Sequence, residues 1–392
     1  MASAGLDGAV LPTIAAGLSI GGTILVVTHA VARVFDGPER PLRQQEFALP
    51  DTLAEGEVLV AVRLATLCGS DLHTIEGRRT ESTPAILGHE GVGEVVHCGS
   101  GRDGLRCGDR VTWSIADSCG HCAYCTDFAL PEKCARLFKY GHATVADGHG
   151  LNGTYASHIV LRRGTRVLPV ADSLNDSVVA PANCALATVA NVLSHVPASA
   201  ASVLVQGAGL LGIYACAWLR DRGVRTVFCT DPVPERRQLA QRFGARPLDC
   251  DHDSAGDRQD QIRSVAPEGV DAVLELSGSR AALLEGIDHI RTGGVCVLAG
   301  MVHPDSDLGG LTGERIIRKC LALHGVHNYS PHHLEEGLAF LERTVGHLPF
   351  ADLVSPALPL SRFEEAIELS RQCRWLRVAV TPAVPPNPQD PA

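Results

Sequence analysis

Lysine is nearly absent: it occurs only at 133, 139 and 319, so all but three of the 34 basic residues are Arg. Arginine spread so evenly reads as compositional bias, not as a basic binding face. Aromatic residues make up 4% of the chain, too few to suggest base-stacking platforms. A formal charge of −10 repels a phosphate backbone, so nucleic acid is not an expected partner. Positive charge is also missing before Arg33. The apolar run over 9–32 therefore lacks the charged start of a signal peptide. Pro12, three glycines and scattered Ser and Thr break it as a membrane span, and its second half, "TILVVTHAV", reads as a strand. Residues 1–23 are expected to be a loose extension, with no membrane segment and a cytoplasmic location.

The remaining composition, 45% hydrophobic and 20% charged over 392 residues, is that of a globular protein long enough for two domains. Fourteen cysteines in so long a chain without an export signal point to metal binding, because disulfide scaffolds are short and secreted. Alternating segments such as "EVLVAVRLAT" and "GEVVHCG", separated by Gly, Pro and Asp, predict an irregular β domain up to about 185. From there, "ASVLVQG", "LLGIYACAWLRDRG", "RTVFCTD" and "PERRQLAQRFGA" alternate strand with helix, the pattern of parallel βαβ units. Helical patterns at about 331–345 and from 361 lead to a last strand, "WLRVAVTP". The Pro-rich residues 383–392 are expected to be disordered.

Three motifs carry chemistry. "VLVQGAGLLG" places Gly207, Gly209 and Gly212 after a strand, with Leu210 and Leu211 opening a helix, as a dinucleotide-binding turn requires. Asp231, ending the next strand, suits the ribose hydroxyls and favours NAD over NADP, although Arg236 or Arg237 near it can accommodate a 2′-phosphate. "SCGHCAYCTDFALPEKC" spaces Cys119, Cys122, Cys125 and Cys134 as CxxCxxCx8C, a set of four thiolates that fits a closed zinc site. "TLCGSDLH", with Cys68, Ser70, Asp71 and His73, does not by itself distinguish a buried thiol from a metal ligand. "LGHEGVGEV" adds His89 and Glu90, and "PANCALATV" adds Cys184.

On these motifs the sequence, over about 24–382, resembles the zinc-dependent medium-chain alcohol dehydrogenase family. The resemblance implies an α/β architecture in two parts. A GroES-like irregular β catalytic domain (24–185 and 327–382) would be interrupted by a Rossmann doubly wound parallel sheet that binds NAD (186–326). It implies two zinc ions per chain: a catalytic one held by Cys68, His89 and Cys184, with Glu90 as an alternate ligand, and a structural one in the four-cysteine loop. That loop is one residue longer than the family's usual last spacing. Ser70 and His73 would be a proton relay, and Asp71 would orient His89. "GSDLHTIEGRRTESTPAILGHE", "EKCARLFKYGHA" and "APANCALATV" resemble the branch associated with phosphonate metabolism. Arg78, Arg79, Lys139 and His142 are accordingly candidates for holding a substrate anion.

The expected activity is oxidation of a small alcohol, including a hydroxyalkylphosphonate, or reduction of its ketone or aldehyde. The proton would leave through Ser70 and His73, with hydride transfer to NAD. A polyol, amino-alcohol or aminocyclitol dehydrogenase would use the same machinery. A redox-inactive, dinucleotide-sensing zinc protein is the rival of another class, but it has no need of a proton route. The resembled family also implies a homodimer or homotetramer.

Overall fold

A computed structural model describes residues 16–20, 23–250, 255–303 and 306–382. The expected tail at 383–392 and most of the expected N-terminal extension lie outside these. Within 1–23, Ala16–Ile20 is a strand, paired antiparallel with Thr23–Val27 in a sheet of two strands. "TILVVTHAV" is likewise two strands, because Thr28 separates Thr23–Val27 from His29–Phe35.

Val58–Leu67 is the hub of the first sheet. Its apolar residues are almost all buried, as expected of a strand covered on both faces. Glu90–Cys98 pairs antiparallel along one edge. On the other edge, His158–Leu161 takes its first half and the C-terminal strand Val378–Thr381 its second. The end of the chain thus returns to complete the sheet that its beginning started. Register then decides what meets. Thr66 lies opposite Glu90 and Leu67 opposite Val378, so Cys68, Glu90 and Arg377 converge at one end of the hub strand.

The second sheet has six parallel strands in the order Arg246–Leu248, Thr226–Thr230, Ser202–Gln206, Val270–Glu275, Ile290–Leu298, Ala322–Gly325. This is the doubly wound order whose reversal lies between Ser202–Gln206 and Val270–Glu275, where such sheets bind ligands at their carboxyl ends. The helices expected at 331–345 and from 361 form as Pro331–Thr344 and Phe363–Arg371.

Asp176–Ser194 is the one described helical stretch long and apolar enough to cross a membrane, but 78% of its most apolar window is buried. It belongs to the core, where Ala187–Ser194 packs against Pro331–Thr344. Its middle, Ala182–Leu186, is a π-helical turn, a local widening that often accompanies functional sites. Cys184 sits on that turn.

Candidate active site

Cys68 caps the short helix Gly69–Ile75. The Asp71 carboxylate accepts from Cys68 N–H at 2.9 Å and from the Tyr155 hydroxyl at 2.7 Å. Its other oxygen stands 3.4 Å from His89 Nδ1, which leaves Nε2 of that ring free to face a ligand. The π-helical turn is tied to the same place, since Asn183 Nδ2 donates to the His89 carbonyl at 3.1 Å. Ligand atoms of Cys68, His89, Glu90 and Cys184 consequently lie within 4.8 Å of one another.

The electrostatics of this cluster suit a cation. A hydrogen bond between the two thiols lowers Cys68 and raises Cys184, so that they share a proton. Burial pushes His89 down, but Asp71 and Cys68 outweigh it and raise the imidazole to about 10. Two thiols and an imidazole that compete for positive charge in a buried site are a donor set zinc fits. Glu90 is already engaged. Arg377 grips both its oxygens at 2.8 and 2.9 Å, and the Thr66 hydroxyl donates to it at 2.5 Å. Burial nonetheless raises the Glu90 carboxyl to about 7. Arg377 also reaches Cys68 Sγ at 3.5 Å.

In the second cluster, Cys122 Sγ lies 3.6 Å from Cys125 and 3.9 Å from Cys134, and Cys119 lies 4.0 Å from Cys125. Sulfurs at the corners of a tetrahedron with zinc–sulfur bonds of 2.3 Å would be about 3.8 Å apart. The extra residue in the loop therefore leaves a zinc-sized set of thiols.

At the end of Ser202–Gln206 the three glycines have separate tasks. Gly207 has φ +98°, and a Cβ there would meet Ser277 at 3.0 Å. A Cβ on Gly212 would stand 1.8 Å from the Gly207 carbonyl, while one on Gly209 would meet nothing within 4 Å. Turn, close packing and open approach are what a dinucleotide turn needs of its three glycines. Asp231 accepts from Ala208 N–H at 2.8 Å and from Val233 N–H at 2.9 Å, stitching the turn to the next strand. Arg237 binds the Asp231 carbonyl and Asp249, whereas Arg236 Nε is buried without a partner. The side chains of Leu210 and Leu211 pack into the core, so only their backbone N–H groups remain for a phosphate.

Comparison with known proteins agrees with this geometry. The alcohol dehydrogenase GroES-like domain matches residues 54–172, and the zinc-binding dehydrogenase domain matches 211–343. A medium chain reductase/dehydrogenase of Acremonium sp is 31% identical over 70% of this chain and 95% of its own length. The chain belongs to the zinc-type medium-chain alcohol dehydrogenase family. D-arabinitol dehydrogenase 1 of Uromyces fabae is 26% identical, covering 83% of this chain and 90% of that protein. The crystal structure of an alcohol dehydrogenase from Thermotoga maritima superposes with a TM-score of 0.84 at 31% identity, covering 90% of this chain and 99% of that one. As a zinc-type alcohol dehydrogenase it is an oxidoreductase acting on CH–OH groups.

Other site residues of this dehydrogenase take unequal positions. Ser70 and His73 share a face of the helix Gly69–Ile75, three residues apart, and His73 is exposed. Arg78 is not brought to the ligand cluster: it pairs with Glu76 and is 59% exposed. Arg79 turns the other way, with Nε 2.8 Å from Glu81. His142 Nδ1 is 2.7 Å from the same Glu81 oxygen, and its ring stacks on His89 at 5.5 Å. Burial lowers His142 to about 4, against the pull of Glu81, which favours the neutral ring. Lys139 is half-buried and lies within electrostatic reach of Arg79, Cys184, Cys68 and Glu81.

Arg377, Glu81, Tyr155, Lys133 and His327 escaped the sequence reading. Lys133 Nζ donates to His327 Nδ1 at 2.6 Å, and Lys139 and Arg79 act electrostatically on His327. One signal was available: Arg377 is a lone charge in the apolar stretch "WLRVAVTP", just ahead of the final strand Val378–Thr381, where a buried partner is to be expected.

Proposed function

We propose that this enzyme is an NAD-linked dehydrogenase of a small secondary or primary alcohol carrying an anionic group, with a hydroxyalkylphosphonate the best fit. The observation that carries the substrate reading is the cation wall beside the ligand cluster. Lys139, Arg79 and Lys133, with the N–H of neutral His327, are balanced nearby by Glu81 and by Glu132 next to Lys133. A dianion placed there would gain charge-assisted hydrogen bonds from these cations.

Cys68, His89 and Cys184 would hold the catalytic zinc, with Glu90 kept in reserve by Arg377, and the four-cysteine loop would hold the second ion. Bound zinc supplies a Lewis acid that makes a hydroxyl proton easier to lose. Ser70 Oγ would accept that proton and pass it to the His73 ring, which faces solvent. Asp71 would keep His89 in one orientation. Gly207, Gly209 and the N–H groups of Leu210 and Leu211 would receive the pyrophosphate of NAD, Asp231 the ribose hydroxyls, and Arg236 the edge of the ribose. The dinucleotide supplies the hydride acceptor. A second copy of the chain is a further partner in this reading, because Ala322–Gly325 is an open sheet edge next to exposed Ile317.

A polyol reading keeps a specific support. A relative of this chain is a D-arabinitol dehydrogenase, and the neutral His142 suits a hydroxyl better than an anion. The test is a screen of NADH formation with 2-hydroxyalkylphosphonates, polyols and simple alcohols, repeated with NADP. The expected result is a kcat/KM for the phosphonate at least about tenfold above that of its uncharged analogue, as one charge-assisted contact requires. That advantage should be lost in Arg79→Ala and Lys139→Ala, and NAD should be preferred over NADP. A wild type that favours neutral polyols puts the polyol reading in its place.

A further inference from the structure

Tyr155 brings a hydroxyl to the ligand cluster on a ring that packing holds in place. The residue is wholly buried. Its ring lies across the chain that leads into His89: Gly88 has φ +88°, and a Cβ there would stand 2.7 Å from two carbons of that ring. Glycine at 88 thus permits both the turn of the backbone and the close approach of the ring. Tyr155 N–H donates to the Leu87 carbonyl at 3.2 Å, and Thr154 N–H to the Gly88 carbonyl at 2.9 Å. On another side Phe363 packs against the ring, with centroids 4.5 Å apart.

The hydroxyl donates to Asp71 Oδ2 at 2.7 Å and stands 3.5 Å from the Thr66 carbonyl. Oδ2 also accepts from Cys68 N–H at 2.9 Å. One carboxylate oxygen is therefore held from two directions, which fixes the plane of the group and turns Oδ1 toward His89. There the margin is narrow. His89 Nδ1 is buried and makes no ordinary hydrogen bond, and its 3.4 Å separation from Oδ1 is at the outer edge of hydrogen-bond range, so a small swing of the carboxylate decides whether that contact is made. Asp71 is only 1% exposed, so solvent is poorly placed to take over from a missing donor.

We propose that Tyr155 is a positioning residue for the metal centre: its hydroxyl holds the Asp71 carboxylate in the orientation that fixes the His89 ring, so that a residue outside the ligand set governs how firmly the catalytic ion is kept. This rests on the reading of Cys68, His89 and Cys184 as that ion's ligands. It is independent of the substrate.

The experiment follows release of zinc from the holoenzyme to an excess of a chromogenic chelator. Cys68→Ala identifies the phase that belongs to the catalytic ion, because it lacks that phase and keeps the one from the four-cysteine loop. Tyr155→Phe removes a single oxygen and keeps the ring. It should speed loss of the catalytic ion about tenfold or more, the usual cost of losing an outer hydrogen-bond partner around a metal-binding histidine, while the other phase keeps its wild-type rate. Asp71→Asn should speed the same phase, and Tyr155→Phe added to it should contribute less than about twofold more, because the hydroxyl acts through the carboxylate. Should Asp71→Asn hold no catalytic ion at all, the ratio of the two phases in Tyr155→Phe decides. Release at the wild-type rate in Tyr155→Phe, equal acceleration of both phases as a general loosening would give, or an undiminished effect in the Asp71→Asn background overturns the proposal. A Cys68→Ala protein that keeps both phases overturns the ligand assignment first, and the proposal with it.

Discussion

Arg78 and Arg79 are adjacent in the sequence, yet their guanidinium groups serve different places. Arg79 joins Glu81 on the cation wall, while Arg78 stays with Glu76. Arg78 still bears on the proposed proton relay, through its charge on His73. Burial first and the Arg78 charge second lower the His73 imidazole below its ordinary value of 6.5, against Glu76 and Cys68, which raise it, while His303 lowers it further. A relay histidine accepts a proton only when neutral, so a lowered pKa keeps it working into more acid solution. Arg78→Ala removes one lowering charge and frees Glu76, which raises it. The acid limb of the kcat/KM profile for alcohol oxidation should then move to higher pH, with the alkaline limb unmoved. A limb that stays in place, or moves down, would show that His73 does not carry the proton. The pair of arginines was visible in the sequence; which of them faces the ligand cluster was not, because that depends on where Glu76 and Glu81 lie.

The glycine turn is the element most readable from the chain. Each glycine answers a local need, so strand, motif and helix announce themselves within ten residues. The structure separates the three by what a side chain would meet. Gly212→Ala, with a Cβ 1.8 Å from the Gly207 carbonyl, should lower stability by about 1 to 3 kcal/mol, the usual cost of overpacking. Gly209→Ala meets nothing and should leave the melting temperature near wild type while raising KM for NAD several-fold, because the added methyl obstructs the pyrophosphate approach. Thermal melts beside cofactor titrations check both. Equal loss of stability in the two variants would contradict the division of roles. The π-helical turn under Cys184 is the opposite case: "PANCALATV" carries no local sign of it, and the turn packs against Glu90–Cys98, Leu210–Asp221 and Pro331–Thr344, which are distant in sequence.

Across the whole molecule the two thiol clusters differ in how far the chain travels to build them. Cys119 to Cys134 lie within one loop, whereas Cys68, His89 and Cys184 come from a helix cap, a strand entry and a π-helical turn. Their losses should be separable. Cys68→Ala is expected to abolish turnover in a folded protein that keeps about one zinc, and Cys122→Ala to lose the other zinc together with stability, since a structural site contributes directly to folding. Elemental analysis with thermal melts reads both. Two zinc ions retained in either variant would refute the corresponding assignment.

Patterns that close over short stretches were settled by the sequence alone: the glycine turn, the four-cysteine spacing, the alternation of strand and helix, and the lack of a charged N-terminal start. Their physical causes are local backbone geometry and side-chain periodicity, which act within a few residues. The order of the six parallel strands, the return of Val378–Thr381 to the hub strand, and the grip of Arg377 on Glu90 are matters of tertiary structure. So is the meeting of His142 with Glu81. Each depends on burial and on partners from about 20 to more than 300 residues away, and a low-dielectric interior gives such contacts their strength only once the chain has folded around them.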